Sequence, residues 1–311
     1  MLGDPVVTGT AGPSLGTARR RTVEPVSIEK DVQEFLTTRR ARITPEGAGL
    51  PTYGGNRRVP GLRREEVALL AGVSSDYYVR VERGHLRGVS EQVLEAIARA
   101  LQLAEAERNH LFDLARASTG PVRGSRRTAV SKVRPGVLRL LDSLISPAYV
   151  RNERGDILAA NASGYALYDG IMTPDDLPFN LARFIFLDHR SHAYFVGWDT
   201  IADDMVASLR QQAGANPHDK SLIDLVGELA TRSDEFSTRW ARHNVKPHRS
   251  ATKMLRHSML GEVELTGEAL ELPADGLVII TYTAEPGSPA AESLRFLSSW
   301  SNAPARESDR S

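Results

Sequence analysis

The stretch from Arg63 to Arg83 admits few folds, because it reads as two short helices meeting at a tight turn. Ala68 is small where two helices must approach closely, Gly72 stands where the turn needs positive φ, and Ser74 can cap the helix that follows. Val67, Val73, Tyr78 and Val81 supply the apolar wedge between the helices. Small, glycine, cap and apolar residues each fall where the geometry of a helix-turn-helix DNA reader requires them.

With Ser74 as cap, Ser75, Asp76 and Tyr77 open the second helix and Arg80 follows one turn later, so these four are the expected base-reading set. Arg80 can donate two bonds to guanine O6 and N7, whereas Asp76 can accept from cytosine N4, orient Arg80 or help cap the helix. Formal net charge is zero, so affinity for phosphates has to come from local clusters. The expected phosphate contacts are Arg57, Arg58, Arg63, Arg64, Ser74, Arg83 and Arg87, with Glu65, Glu66 and Glu82 close enough to pair with some of the arginines instead. Readers of this kind commonly work as dimers on two half-sites, which sets the expectation of a homodimer on palindromic double-stranded DNA.

A chain of 311 residues, 41% of them apolar, can bury two cores. Residues 1–27 hold no hydrophobic period and read as a leader, with the basic run Arg19, Arg20, Arg21. From Ile28 the residues Val32, Phe35 and Leu36 recur at helical spacing to about Arg42, and a long Gly/Pro-rich loop follows from 44 to 62. Beyond the reader helices Gly84 stops one helix, Ser90 caps the next, and another runs over about 104–117. The expectation is an all-α domain of five helices over 28–118, a linker at 119–134, and a second domain over 135–299 before a tail at 300–311.

The second domain opens with an amphipathic helix at 137–144 and a hairpin, 148–152 with 156–161, turned at Gly155. Helical periods follow at about 181–187, 198–214, 219–231 and 233–243. Strand-like segments at 251–257, 261–265 and 277–283 then lead to a last helix at 288–299. Strands at both ends with helices between them imply one mixed α+β sheet domain closing on itself. Cysteine is absent, which excludes disulfides, thiolate metal sites and cysteine nucleophiles. His189 with His192, and His243, His248 and His257, match no zinc motif, so no metal is expected. No serine elbow, phosphate-cradling loop or dinucleotide fingerprint appears, and no enzymatic activity or cofactor is expected. No apolar run suits a bilayer span or a signal core, so the expected location is the cytoplasm, at the nucleoid, with no membrane partner.

These residues carry a family resemblance. The chain resembles the MmyB-like transcriptional regulators of actinobacteria, which join an XRE-type helix-turn-helix to a PAS-like ligand-binding domain. In the first half the resemblance rests on Gly49-Leu50-Pro51, Arg57-Arg58, Pro60 through Ala68, Gly72-Val73-Ser74, Tyr77-Tyr78, Arg80, Glu82 and Gly84. In the second it rests on Asn161-Ala162, Asn180 through Phe184, Trp198, Leu225 through Leu229, Phe236, Trp240 through His243, Gly261 and Tyr282 through Ser288. It covers about 28–299 and departs at Ser258, where the family pattern has proline.

The resemblance implies a PAS-like second domain with an apolar interior that holds a fatty-acid-like ligand. The lining residues would be Phe184, Phe186, Phe195, Trp198, Leu209, Trp240, Met254, Leu255 and Leu260, and the polar head would meet Asn161, Arg183, Arg242 and His243. The same aromatics can equally be packed core. The function implied is a sequence-specific regulator whose operator binding responds to an apolar or amphipathic ligand. Two alternatives are a constitutive DNA binder whose second domain only dimerises or docks a protein, and a small-molecule enzyme with an accessory DNA module.

Overall fold

The structure, a computed structural model, describes residues 28–51, 61–119, 132–242 and 250–301. The first unit holds the five expected helices: α1 (Ile28–Arg42), α2 (Arg64–Ala71), α3 (Ser75–Glu82), α4 (Glu91–Ala100) and α5 (Glu105–Ser118). In α1, Glu29 and Asp31 sit in the first turn and Arg39, Arg40 and Arg42 in the last, the charge order that the helix dipole favours. Helix α4 starts where the Ser90 hydroxyl accepts the Val93 N–H. Val32, Phe35, Leu36, Leu62, Val67, Tyr78, Val81, Ile97 and Leu111 meet in one core with no exposed surface.

The second unit runs α6 (Pro135–Ser143), β1 (Ala148–Asn152), β2 (Asp156–Ala160), α7 (Ala162–Leu167), β3 (Phe179–Asn180), α8 (Leu181–Leu187), α9 (Arg190–Tyr194) and β4 (Phe195–Val196). It continues through α10 (Trp198–Ala215), α11 (Lys220–Arg232), α12 (Asp234–Trp240), β5 (Ser250–His257), β6 (Gly261–Leu272), β7 (Leu277–Thr283) and α13 (Pro289–Ser301). The seven strands form one sheet in the order β3-β2-β1-β7-β6-β5-β4, antiparallel at every junction rather than mixed. The first strand lies beside the last, Val150 opposite Ile279, which closes the domain on itself as the sequence implies.

One face of the sheet, with Tyr149, Ile157, Val263, Leu265, Ile280 and Tyr282, packs on the helices between the strands. The other face, with Ala148, Val150, Leu277 and Ile279, is covered by Val137 and Leu141 of α6. Strand β6 continues past 265 to Leu272, where its alternation loses contrast because Gly267 and Ala269 take the inward positions. A Cβ at 267 would lie 3.3 Å from the Tyr282 ring, so the small residue makes room for that tyrosine.

The two units touch where α10 lies against α5, with Arg210 of α10 facing Asp31 of α1.

Candidate nucleic-acid interface and sensor cavity

Helix α3 stands where the motif reading places it. Gly72 takes φ +66° in the turn, and the Ser74 hydroxyl accepts the Tyr77 N–H at 3.2 Å. Val67, Tyr78 and Val81 are fully buried and Val73 partly so, which fixes how α3 rests on α2. Of the expected reading set, Ser75, Asp76 and Arg80 are exposed. Tyr77 is half-buried against the core, and the Arg80 guanidinium lies 5.0 Å over its ring. Tyr77 therefore supports Arg80 from beneath rather than standing free beside it.

The phosphate set divides. Arg63, Ser74, Arg83 and Arg87 are exposed, and the Arg63 N–H is held by the Glu66 carboxylate at 2.6 Å. Arg64 is half-exposed, but its Nε donates to Glu82 at 2.8 Å, so its charge is shared with a buried carboxylate. Arg57 and Arg58 lie outside the described residues. Glu82, which the sequence offered only as a neighbour for arginines, is the anchor of this cluster. It has no exposed surface and accepts from Arg40 at 2.9 Å and from Arg64, with the Thr37 hydroxyl at 3.3 Å. Burial works to raise its pKa, and the hydrogen bonds from the two arginines outweigh that and hold it below the usual glutamate value.

In the second unit, Phe184, Phe186, Phe195, Trp198, Leu209 and Leu255 all enter the core, with Trp240 and Leu260 packed at its margin. Most of them meet one another: the Phe186 ring is 5.7 Å from Trp198 and 5.0 Å from Phe236. Met254 sits on the opposite face of β5 from Leu255, opposite Glu264. Trp240 borders a separate apolar recess with Leu222, Ile223 and Val226.

Among the expected lining residues, Phe195 alone borders a small cavity between the sheet and α10. Its other walls are Tyr149, Arg151, Leu181, Ile185, Ile201, Asp204, Met205, Ser208 and Lys253, around about 20 Å³ in which a water-sized sphere can be centred. Arg151 and Lys253 sit in strands on the inward side, two places along from Tyr149 and two before Leu255. Burial, then the nearby Arg151, push the Lys253 ammonium down to about 8 against the opposing pull of Asp204. A charged residue on the apolar side of a strand was the sequence signal for this pair.

The expected head-group residues are placed elsewhere. Asn161 is buried, with its carbonyl accepting from Ala148 N–H at 3.0 Å and Gly164 N–H at 2.8 Å and its amide donating to the Leu144 and Ser146 carbonyls. These bonds hold backbone and leave Asn161 no capacity for a ligand. Arg183 pairs at the surface with Glu228 at 2.8 Å, Arg242 is exposed, and His243 lies outside the described residues. His257 accepts the Met259 N–H at 3.1 Å through Nδ1 and meets the Ala166 carbonyl through Nε2, a hydrogen-bonded hinge of the β5–β6 turn. Among the described residues no group of three or more His, Asp or Glu side chains is arranged to hold a metal, and no helix is long and apolar enough to cross a membrane.

A capped reading helix on an all-α domain, followed by a separate α+β domain, is the layout of a transcription regulator of the helix-turn-helix class. Family comparison gives the same two parts: a helix-turn-helix domain matches residues 15–111, and the MmyB-like transcription regulator ligand binding domain matches 133–297, more than half the chain. The chain belongs to the MmyB-like transcription regulators. Comparison with curated proteins finds no match.

Proposed function

We propose that the protein binds a palindromic operator as a homodimer and that a fatty-acid-like anion in the sensor cavity changes its affinity for that operator. The observation that carries the DNA-reading part is the outward set Ser75, Asp76 and Arg80 on a helix whose cap, turn and apolar underside are all satisfied. Arg80 at a guanine is worth about 1–3 kcal/mol of discrimination, while Arg63, Arg83 and Arg87 hold register on the phosphates.

The ligand class is supported by the chemistry of the cavity wall. Arg151 and Lys253 against the single carboxylate of Asp204 leave one positive charge in excess, beside Leu181, Ile185, Phe195 and Ile201. A carboxylate would draw the Lys253 pKa back up from its lowered value, and each methylene removed from water contributes about 0.8 kcal/mol. The cavity as it stands has about 20 Å³ of such space, room for about one water, so seating a carboxylate and its chain requires the walls to part. The half-exposed Phe296 and Trp300, one turn apart on α13, offer an apolar face to a second copy.

The test is native mass spectrometry of the purified full chain, alone and with a duplex selected from a random pool. A dimer mass with DNA and a co-purifying carboxylic acid is the expected result. A selected pool with no preferred sequence would refute the reading, and so would loss of affinity that is the same for R80A and R63A at every salt concentration. Operator affinity indifferent to medium- and long-chain carboxylates would favour the constitutive alternative.

A further inference from the structure

Helix α10 meets three environments at once. Ile201, Asp204, Met205 and Ser208 line the sensor cavity, and Ala202, Val206 and Leu209 enter the core of that domain. Ala207, Arg210 and Gly214, three and four residues apart, share the remaining side. That side meets the DNA-reading domain. Arg210 is 3% exposed, its guanidinium 3.9 Å from the Asp31 carboxylate of α1. It also donates to the Trp240 carbonyl and lies 4.1 Å over the Trp240 ring, so α10, α12 and α1 converge on one cation.

One turn further along, Gly214 lies beneath His110 of α5, so closely that a Cβ would come within 2.5 Å of the imidazole Cε1. His110 is buried and stands edge-on to the Phe35 ring, centroids 5.1 Å apart. Phe35 is in the centre of the reader core, in contact with the cluster that includes Tyr78 and Val81 of α3. An unbroken run of packed groups therefore leads from the cavity wall to the reading helix. Met205 and Arg210 are separated by about 7.5 Å along the helix axis, so a shift imposed at one reaches the other with no flexible joint between them.

We propose that α10 carries the state of the sensor cavity into the DNA-reading domain, with Arg210 as the positioning residue that holds α10 against α1 and Gly214 setting its closeness to α5. The proposal rests on the ligand-responsive reading in taking the cavity as the input. Its test replaces the unidentified ligand by a side chain of this protein, so the two can fail separately.

Met205→Trp fills the cavity from α10 itself, and Arg210→Gln removes the charge and the stacking on Trp240. Hydrogen–deuterium exchange of the full chain is read for wild type, M205W, R210Q and the double variant. M205W should change the exchange of peptides from α1 and α5, and the double variant should match R210Q alone, a coupling that a merely stabilising arginine would not produce. With a duplex selected from a random pool, M205W should alter affinity by about fivefold or more, an effect that R210Q abolishes. Should M205W strip protection from β1 and β7, Ser208→Leu makes a smaller intrusion into the same wall and is read in its place, with G214A pressing on His110 from the other end. Exchange changes confined to the sensor domain, or equal transmission with and without Arg210, would overturn the proposal. Absence of any preferred duplex would instead defeat DNA reading while the exchange measurement still decides the role of α10.

Discussion

Arg80 rests on the Tyr77 ring, and Arg40 and Arg64 close on Glu82, so the cations of the reading end are held from the protein side before any DNA arrives. Pre-set rotamers lower the entropy cost of a bidentate contact. Tyr77→Phe keeps the ring and should leave operator preference intact, whereas Tyr77→Ala should weaken discrimination at the Arg80 base pair by about 1 kcal/mol, read by competition between duplexes differing at one position. Glu82→Ala is expected to be far more damaging. It leaves the buried end of Arg40 without its carboxylate and should cost about 3–5 kcal/mol in chemical denaturation. Because the Glu82 pKa is lowered on folding, its contribution is present above the unfolded glutamate value and is lost as pH falls through the folded one. Arg64 illustrates the limit of reading charges from a sequence: an arginine before a helix invites phosphate, and only the fold places a buried carboxylate, eighteen residues on, within its reach.

At the scale of elements, legibility followed how local the stabilising contacts are. All five reader helices and α8, α10, α11 and α12 carry apolar periods, α3, α4, α8, α11 and α12 also side-chain N-caps, and each lies within a few residues of where the spacing puts it. Helix α7 has a cap in Asn161 but only six residues and no apolar period, and helix α9 and strands β3 and β4 have no such signal. The two strands are two residues long and exist through pairing alone, Asp156 with Asn180 and Phe195 with Leu255. The cavity escaped for a related reason: aromatic residues were its expected walls, but in the fold they satisfy one another, and space is left where Arg151 and Lys253 keep their neighbours apart. Asn161 joins three elements, since its side chain bonds the end of α6, the start of β1 and the start of α7. Asn161→Ala leaves two backbone N–H groups and a pair of carbonyls without partners in a buried corner. The expected loss is about 3 kcal/mol in the denaturation midpoint analysis, and a change below about 0.5 kcal/mol would mean that water replaces the amide.

For the whole molecule, the contact between the two domains holds ionisable groups whose shifts oppose each other. His110, buried and flanked by the Arg210 and Arg39 cations, has its pKa pushed down to about 3, chiefly by burial. Asp31 is pushed up to about 6 by burial, which outweighs the attraction of Arg210. His110 favours the docked, folded chain above its unfolded value of 6.5, and that contribution is lost progressively as pH falls toward 3. Asp31 has the opposite sign: the folded chain holds a proton that the unfolded chain releases, so its contribution grows as pH falls from about 6 to the unfolded value of 3.8. Between those two values one group binds a proton on unfolding while the other gives one up, and the pair makes stability nearly independent of pH. Asp31→Asn removes the compensation. Thermal melts of D31N minus wild type should therefore show an advantage at pH 6 that shrinks steadily toward zero by pH 4, because asparagine stands in for the protonated carboxyl, while His110→Gln minus wild type should show a gain that grows over the same interval. Parallel curves for both variants would mean that burial does not shift Asp31 and His110 in opposite directions.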